Sequence, residues 1–205
     1  SCTATLAVTD CPEFNTVCIE PDGSITGFTP CPEASGKCRT FTGIQVLDPA
    51  IYRYLPDSGF ANSIDAFSAM IQDGLKMRAY DAQKHYWNDL GTPERYRQAV
   101  IDTLGPAVFE KAFARDGGSG IECIPLAGDG SDRKWLRIRR DGQSLVAADH
   151  GIQTGKKTSE FDSFVAIGQH LYEKGLPVPE IYKHDRFSGL VFLADLGDIL
   201  LQSLI

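Results

Sequence analysis

The run Asp116-Gly117-Gly118-Ser119-Gly120 constrains this chain more than any other feature, because a Gly/Ser cluster of this density extends neither a helix nor a strand without a large entropic cost. It divides the 205 residues into two patterned halves, so the core must be either one large or two small ones. With 42% hydrophobic and 23% charged residues the composition is that of a folded protein. The net charge of −7 comes without a block of like charges, so nothing in it advertises a nucleic-acid or membrane surface. No apolar run has the length of a membrane span, and residues 1–10 lack the basic start and long apolar core of a signal peptide. A cytoplasmic protein is the resulting expectation.

In the first half, residues 3–9 read as a buried strand, followed by short strands at 17–19 and 24–28 around the turn residues Pro21-Asp22-Gly23. A longer strand over 38–47 carries Phe41, Thr42, Ile44 and Val46 and enters a short helix at 49–55. Asn62 or Ser63 caps a helix whose apolar face is Ile64, Phe67, Met70 and Ile71, stopped at Gly74. Strands follow at 76–80 and 84–87. Thr92 and Pro93 then open a helix with Tyr96, Val100, Ile101 and Leu104, ended by Gly105-Pro106 and followed by a short helix at 107–115. Strands alternating with helices predict an α/β layer. Five of the six cysteines fall within the first 38 residues, but none are spaced as a C-x₂₋₄-C clip, so free thiols are expected.

The second half predicts strands at 121–126, 134–139 and 144–149 in an antiparallel meander, then a helix capped by Ser159 with Asp162 in a box-like position. Phe161, Phe164, Val165, Gly168, Leu171 and Tyr172 share one face of it, and strands at 178–184 and 190–194 complete five strands around one helix.

The stretch His85-Tyr86-Trp87-Asn88-Asp89-Leu90-Gly91-Thr92-Pro93-Glu94-Arg95-Tyr96 resembles the closing signature of sugar-1-phosphate nucleotidyltransferases. The resemblance implies that residues 1–104 are the C-terminal part of a Rossmann-like nucleotidyltransferase sheet. The family's Gly-rich opening loop has no counterpart here and the sequence starts at Ser1, so the front of that domain is expected to be missing. Asp89 matches the Asp of the family's W-x-D-x-G-T-P-E motif, which holds Mg²⁺ there; read without the family, it is a structural cap near a helix start. Phe41-Thr42-Gly43-Ile44 resembles the segment that lines the sugar pocket, which makes Thr42 and Gly43 sugar-phosphate-binding candidates, and Gly43 reads equally as a strand kink or bulge. The family's Glu-Lys-Pro has no match in Gly27-Phe28-Thr29-Pro30-Cys31-Pro32, and Lys37 is the available substitute.

Gly128-Asp129-Gly130-Ser131-Asp132-Arg133 followed by Trp135-Leu136-Arg137-Ile138 is similar to the first hairpin of amino-sugar kinases in the aminoglycoside-phosphotransferase family; taken alone it is an ordinary hairpin. The resemblance implies that residues 121–205, after a linker at 105–120, form a protein-kinase-like small lobe, an antiparallel sheet plus one helix. Gly128, Asp129, Gly130, Ser131 and Arg133 would then approach the phosphates of ATP. The strand at 144–149 lacks the lysine of most kinases, leaving Arg133, Arg137, Lys156 or Lys157 to supply the charge. Glu160 is the candidate for the lobe's ion pair, or an acidic helix-start residue facing the dipole. The segment 190–198 resembles the hinge whose backbone pairs with adenine, with Phe192 and Ala194 as apolar residues against the ring.

Together the two resemblances imply a bifunctional sugar-activating transferase of cell-wall (peptidoglycan) recycling. One half would phosphorylate the anomeric hydroxyl of N-acetylmuramate or N-acetylglucosamine with ATP. The other would transfer a nucleotidyl group from UTP or GTP to the sugar 1-phosphate, with Mg²⁺ as cofactor. A mannose-1-phosphate guanylyltransferase-like enzyme and a non-catalytic ligand-binding truncation are the alternatives. The kinase H-x-D loop is not in the sequence either, so the chain by itself is expected not to turn over.

Overall fold

The computed structural model describes residues 2–29, 37–114, 120–127, 133–155 and 157–199, and shows a mixed α/β protein in two units, Ser1–Trp87 and Asn88–Ile205. The division falls before the helix that opens at Pro93, whereas the sequence pattern places that helix with the first half.

In the first unit, β1 (Ala4–Thr9), β2 (Val17–Ile19), β3 (Ile25–Phe28), β4 (Lys37–Leu47) and β5 (Met77–Asp81) form one sheet in the order β3-β2-β4-β1-β5. β1 runs parallel to β5, while its pairing with β4 and both pairings of β2 are antiparallel, so the sheet is mixed. Alternation along β1 sends Ala4, Leu6 and Val8 to one buried face. There they meet Phe67 and Met70 of α1 (Ser63–Gln72), a helix capped by the Asn62 side chain, which accepts from the Ile64 N–H at 3.0 Å. The turn between β2 and β3 reaches the opposite edge: Ala79 N–H donates to the Gly23 carbonyl at 2.9 Å, and Arg78 donates to the Asp22 carbonyl at 2.9 Å.

Two expectations for this half are corrected. The chain after β5 is a turn and not a strand at 84–87, because the Asp81 carboxylate accepts from the Gln83 N–H at 2.9 Å and His85 N–H donates to the Ala82 carbonyl at 2.9 Å. Cys38 is disulfide-bonded and not a free thiol, while Cys2, Cys11, Cys18 and Cys123 are free. The C-x₂₋₄-C spacing diagnoses metal clips and does not test for a disulfide.

In the second unit, β6 (Glu122–Leu126), β7 (Lys134–Arg140), β8 (Gln143–Asp149), β9 (Ile181–Asp185) and β10 (Leu190–Ala194) make an antiparallel sheet in the order β6-β7-β8-β10-β9. β9 starts at Ile181 and not at 178, consistent with Pro177 and Pro179, which have no N–H for a ladder. Both faces of the sheet are covered. Leu145, Ala147, Leu190 and Phe192 point to α2 (Pro93–Phe113), whereas Ala148, Val191 and Leu193 point to α3 (Glu160–Glu173). A strand buried on both faces reads as a continuous apolar run, as in Leu190-Val191-Phe192-Leu193.

α2 runs unbroken through Gly105-Pro106, against the expected stop and separate second helix. An internal proline costs about 3 kcal/mol through the lost hydrogen bond and the ring clash. Continuing the helix buries Val108 and Phe109 beside Val100 and Ile101 in the same core, and each such side chain contributes about 1.5–3 kcal/mol. The distant half of the core therefore outweighs the local breaker.

α3 opens on the predicted capping box, with the Ser159 hydroxyl accepting from the Asp162 N–H and the Asp162 carboxylate accepting from the Ser159 N–H at 2.9 Å. Arg186 adds two donors to the same carboxylate, at 2.9 and 3.1 Å. The Arg186 hydrogen bonds, ahead of the Ser159 N–H, hold Asp162 well below the usual carboxylate range. Its folded-state pKa is depressed, so its stabilisation is complete above about pH 4, the unfolded value, and is lost as pH falls toward the folded one. Between pH 6 and pH 2.5 the urea midpoint is expected to fall less in Asp162→Asn than in the parent, and an equal fall in both would refute the assignment.

Candidate functional site

A cleft of about 690 Å³ opens between the inner face of the second sheet and α3. The pleat aims Trp135 and Arg137 of β7, Val146 of β8 and Leu193 of β10 into it, and α3 contributes Phe164, Ile167, Gly168 and Leu171. Val178 and Pro179 close one end; the segment 194–198, leaving β10, forms the rim. The walls are mostly carbon, with polar groups concentrated at this rim, the usual arrangement of a small-molecule site.

Arg137 is buried beneath the rim and holds it. Its Nε and Nη2 donate to the two carboxylate oxygens of Asp195 at 2.7 and 3.2 Å, and its Nη1 and Nη2 to those of Asp198 at 3.0 and 2.7 Å. The Arg137 side chain is 8% exposed and that of Asp195 6%, whereas Asp198 is 79% exposed. Hydrogen bonds to Asp198 and then Asp195 push the guanidinium pKa up. Burial raises the Asp195 carboxyl, but Arg137, Ser144 and the Gly197 N–H together hold it below the ordinary range; Arg137 does the same for Asp198.

Arg133, at the start of β7, pairs with Glu160 at the start of α3 and stacks over Trp135 and Phe164, with its guanidinium carbon 5.5 and 4.8 Å from the ring centroids. His150, beside Phe161 and Phe164, is held below its ordinary pKa by burial and then by Arg133.

The structure places the remaining sequence candidates as follows. Gly128, Asp129, Gly130 and Ser131, with Lys156, lie outside the described residues. Ala194 lines the cleft rim. Phe192 does not: it is completely buried against α2 on the far side of the sheet, and Leu193 takes the cleft-facing position because successive strand residues point to opposite faces. Thr42 and Gly43 sit in the first unit at a bulge between β1 and β4, where the register jumps from Leu6–Gln45 to Val8–Phe41 and Gly43 has φ of +87°. There the Thr42 hydroxyl donates to the Ala7 carbonyl at 2.9 Å and its carbonyl accepts from Trp87 Nε1 at 3.2 Å, so part of the group expected to meet sugar is engaged within the fold. Asp89 is assigned to the second unit and Thr42 and Gly43 to the first, and the Asp89 Oδ2 accepts from Arg95 at 2.6 Å. No cluster of three or more His, Cys, Asp or Glu side chains suited to a metal occurs among the described residues. Nor is any of their helices long and apolar enough to cross a membrane.

The residues missed from sequence are Asp195 and Asp198 as partners of Arg137, separated from it by 58 and 61 positions. No family model and no curated protein matches the chain.

Proposed function

We propose that the second unit carries the adenine-nucleotide cleft of an amino-sugar kinase, joined to part of a sugar-1-phosphate nucleotidyltransferase in one sugar-activating protein. The observation that carries the reading is the cleft: an apolar slot sized for a heterocycle, bounded by Val146 and Leu193 and edged by the backbone of residues 194–198. A flat base slides between the sheet and α3, and the rim offers main-chain donors and acceptors to its edge. A kinase making a sugar 1-phosphate and a nucleotidyltransferase consuming it are consecutive reactions, which gives the fusion chemical sense. The Arg133–Glu160 pair supports the kinase half, since it ties the sheet to α3 as the lysine–glutamate pair does in kinases.

The test is a nucleotide titration of the 205-residue chain followed by amide and methyl chemical shifts. ADP or ATP is expected to move the signals of Val146, Leu193, Ala194 and Gly197, and at ten times its Kd to raise the stability of the second unit by about 1.4 kcal/mol. Shifts confined to other residues, or none at 10 mM nucleotide, would overturn the reading.

A further inference from the structure

The rim of the cleft lies beyond the ladder that holds its walls. β10 ends at Ala194, whose N–H donates to the Glu180 carbonyl at 2.9 Å, and the segment 195–198 continues without a strand partner among the described residues. Arg137 supplies what the ladder does not. It projects from β7, which pairs with β6 on one side and β8 on the other, so its backbone is a fixed anchor. Four hydrogen bonds run from its guanidinium to the carboxylates of Asp195 and Asp198, which bracket the rim, and Asp195 Oδ1 in turn accepts the Gly197 N–H at 2.9 Å. Arg139 adds its attraction to Asp198. A planar fork meeting two carboxylates fixes direction as well as distance, which an ammonium does not. With the N–H groups of Ala194 and Gly197 engaged, the Leu196 N–H between them has no partner among the described residues.

We propose that Arg137 is the positioning residue of base recognition: by locking the rim it holds the peptide groups around Leu196 ready for the edge of the base, and so sets the preference among flat ligands. The proposal rests on the reading of the cleft as an adenine-nucleotide site and adds what makes that site selective. The walls contributed by Val146, Phe164 and Leu193 take any flat ring of similar size alike, since the hydrophobic contribution follows the apolar area removed from water. Hydrogen bonds at the edge tell one ring from another, and they are strongest when donors and acceptors are in place before the ligand arrives. A rim free to move would lose much of that interaction to its own ordering.

The experiment compares adenosine with benzimidazole riboside, which keeps a flat bicyclic ring and lacks the 6-amino group and ring N1. Both are titrated into the 205-residue chain and into Arg137→Lys, and binding is read from the signals of Val146 and Leu193 in the cleft wall. In the parent, adenosine is expected to bind at least fivefold more tightly. Arg137→Lys should weaken adenosine at least fivefold and benzimidazole riboside less than twofold, so that the two approach equality. In ligand-free protein it should also speed amide exchange at Gly197 at least tenfold. Asp198→Asn, at the exposed end of the clamp, serves as the second variant should the lysine form not fold, and is expected to lower the preference for adenosine at least twofold. Equal weakening of both ligands, as a loss of packing would give, would overturn the proposal while leaving the nucleotide reading in place. So would a preference unchanged by both variants, or unchanged exchange at Gly197. Failure of both ligands to perturb the cleft signals in the parent would remove the reading and the proposal together.

Discussion

Phe192→Ala is expected to cost the second unit about 3–5 kcal/mol of folding stability, the penalty of deleting a fully buried aromatic ring. The ring lies in the layer between the sheet and α2, among Val100, Ile101, Val108, Phe109 and Ile138, where a cavity cannot fill with water and the surrounding strands and helix relax only partly. Urea unfolding followed by Trp135 fluorescence in a Trp87→Phe background isolates this unit, since the chain contains two tryptophans and Trp87 belongs to the other unit. A loss below about 1 kcal/mol would show that the ring is not core. Leu193→Ala, one residue along and facing α3 and the cleft, makes the complementary change: it should weaken nucleotide binding in a way that Phe192→Ala, measured on folded protein, does not.

Gly189→Ala is the second large effect. Gly189 closes the turn after β9 with φ of +75°, receives the His150 N–H on its carbonyl at 3.0 Å, and lies so close to Gly151 that an added Cβ would run into the Gly151 carbonyl oxygen. Left-handed strain of about 1–2 kcal/mol then combines with a backbone clash of about 1–3 kcal/mol, because two backbones cannot part without breaking the hydrogen bonds that join them. Gly142 supplies the control. It has the same φ of 75° in the β7–β8 turn but open space where a Cβ would sit, so Gly142→Ala should show the strain alone. Equal destabilisation by the two substitutions would mean that the clash at Gly189 is relieved at no cost.

How much of the molecule is legible in its sequence follows from how local each cause is. The capping box of α3 is complete within Ser159 to Asp162, and the cap of α1 within Asn62 to Ile64, so both helix starts are visible in a few letters. β1 and β10 are equally plain, since an apolar run bounded by turn residues needs no partner to be recognised as a strand. The cleft lining was partly legible: residues 194–198 fall within the segment 190–198 singled out from sequence, whereas Val178 and Pro179, read there as the start of a strand, precede β9 and close one end of the cleft.

Other features depend on residues far apart in the chain. Whether α2 stops at Pro106 is decided by the apolar surface waiting for Val108 and Phe109 beneath the second sheet, a surface built from β7, β8 and β10. Which face Phe192 takes is a matter of strand parity relative to two covering helices, and a strand apolar on both faces carries no alternation from which to read it. Arg137 reads from sequence as a free cation for phosphate; only the fold brings Asp195 and Asp198 to it and turns it into the clamp of the cleft rim. Sequence alone therefore determined the local elements, whose hydrogen bonds and caps close within a few residues. Tertiary structure decided their length, their facing and the charge of the cleft, because burial and ion pairing are settled by neighbours in space.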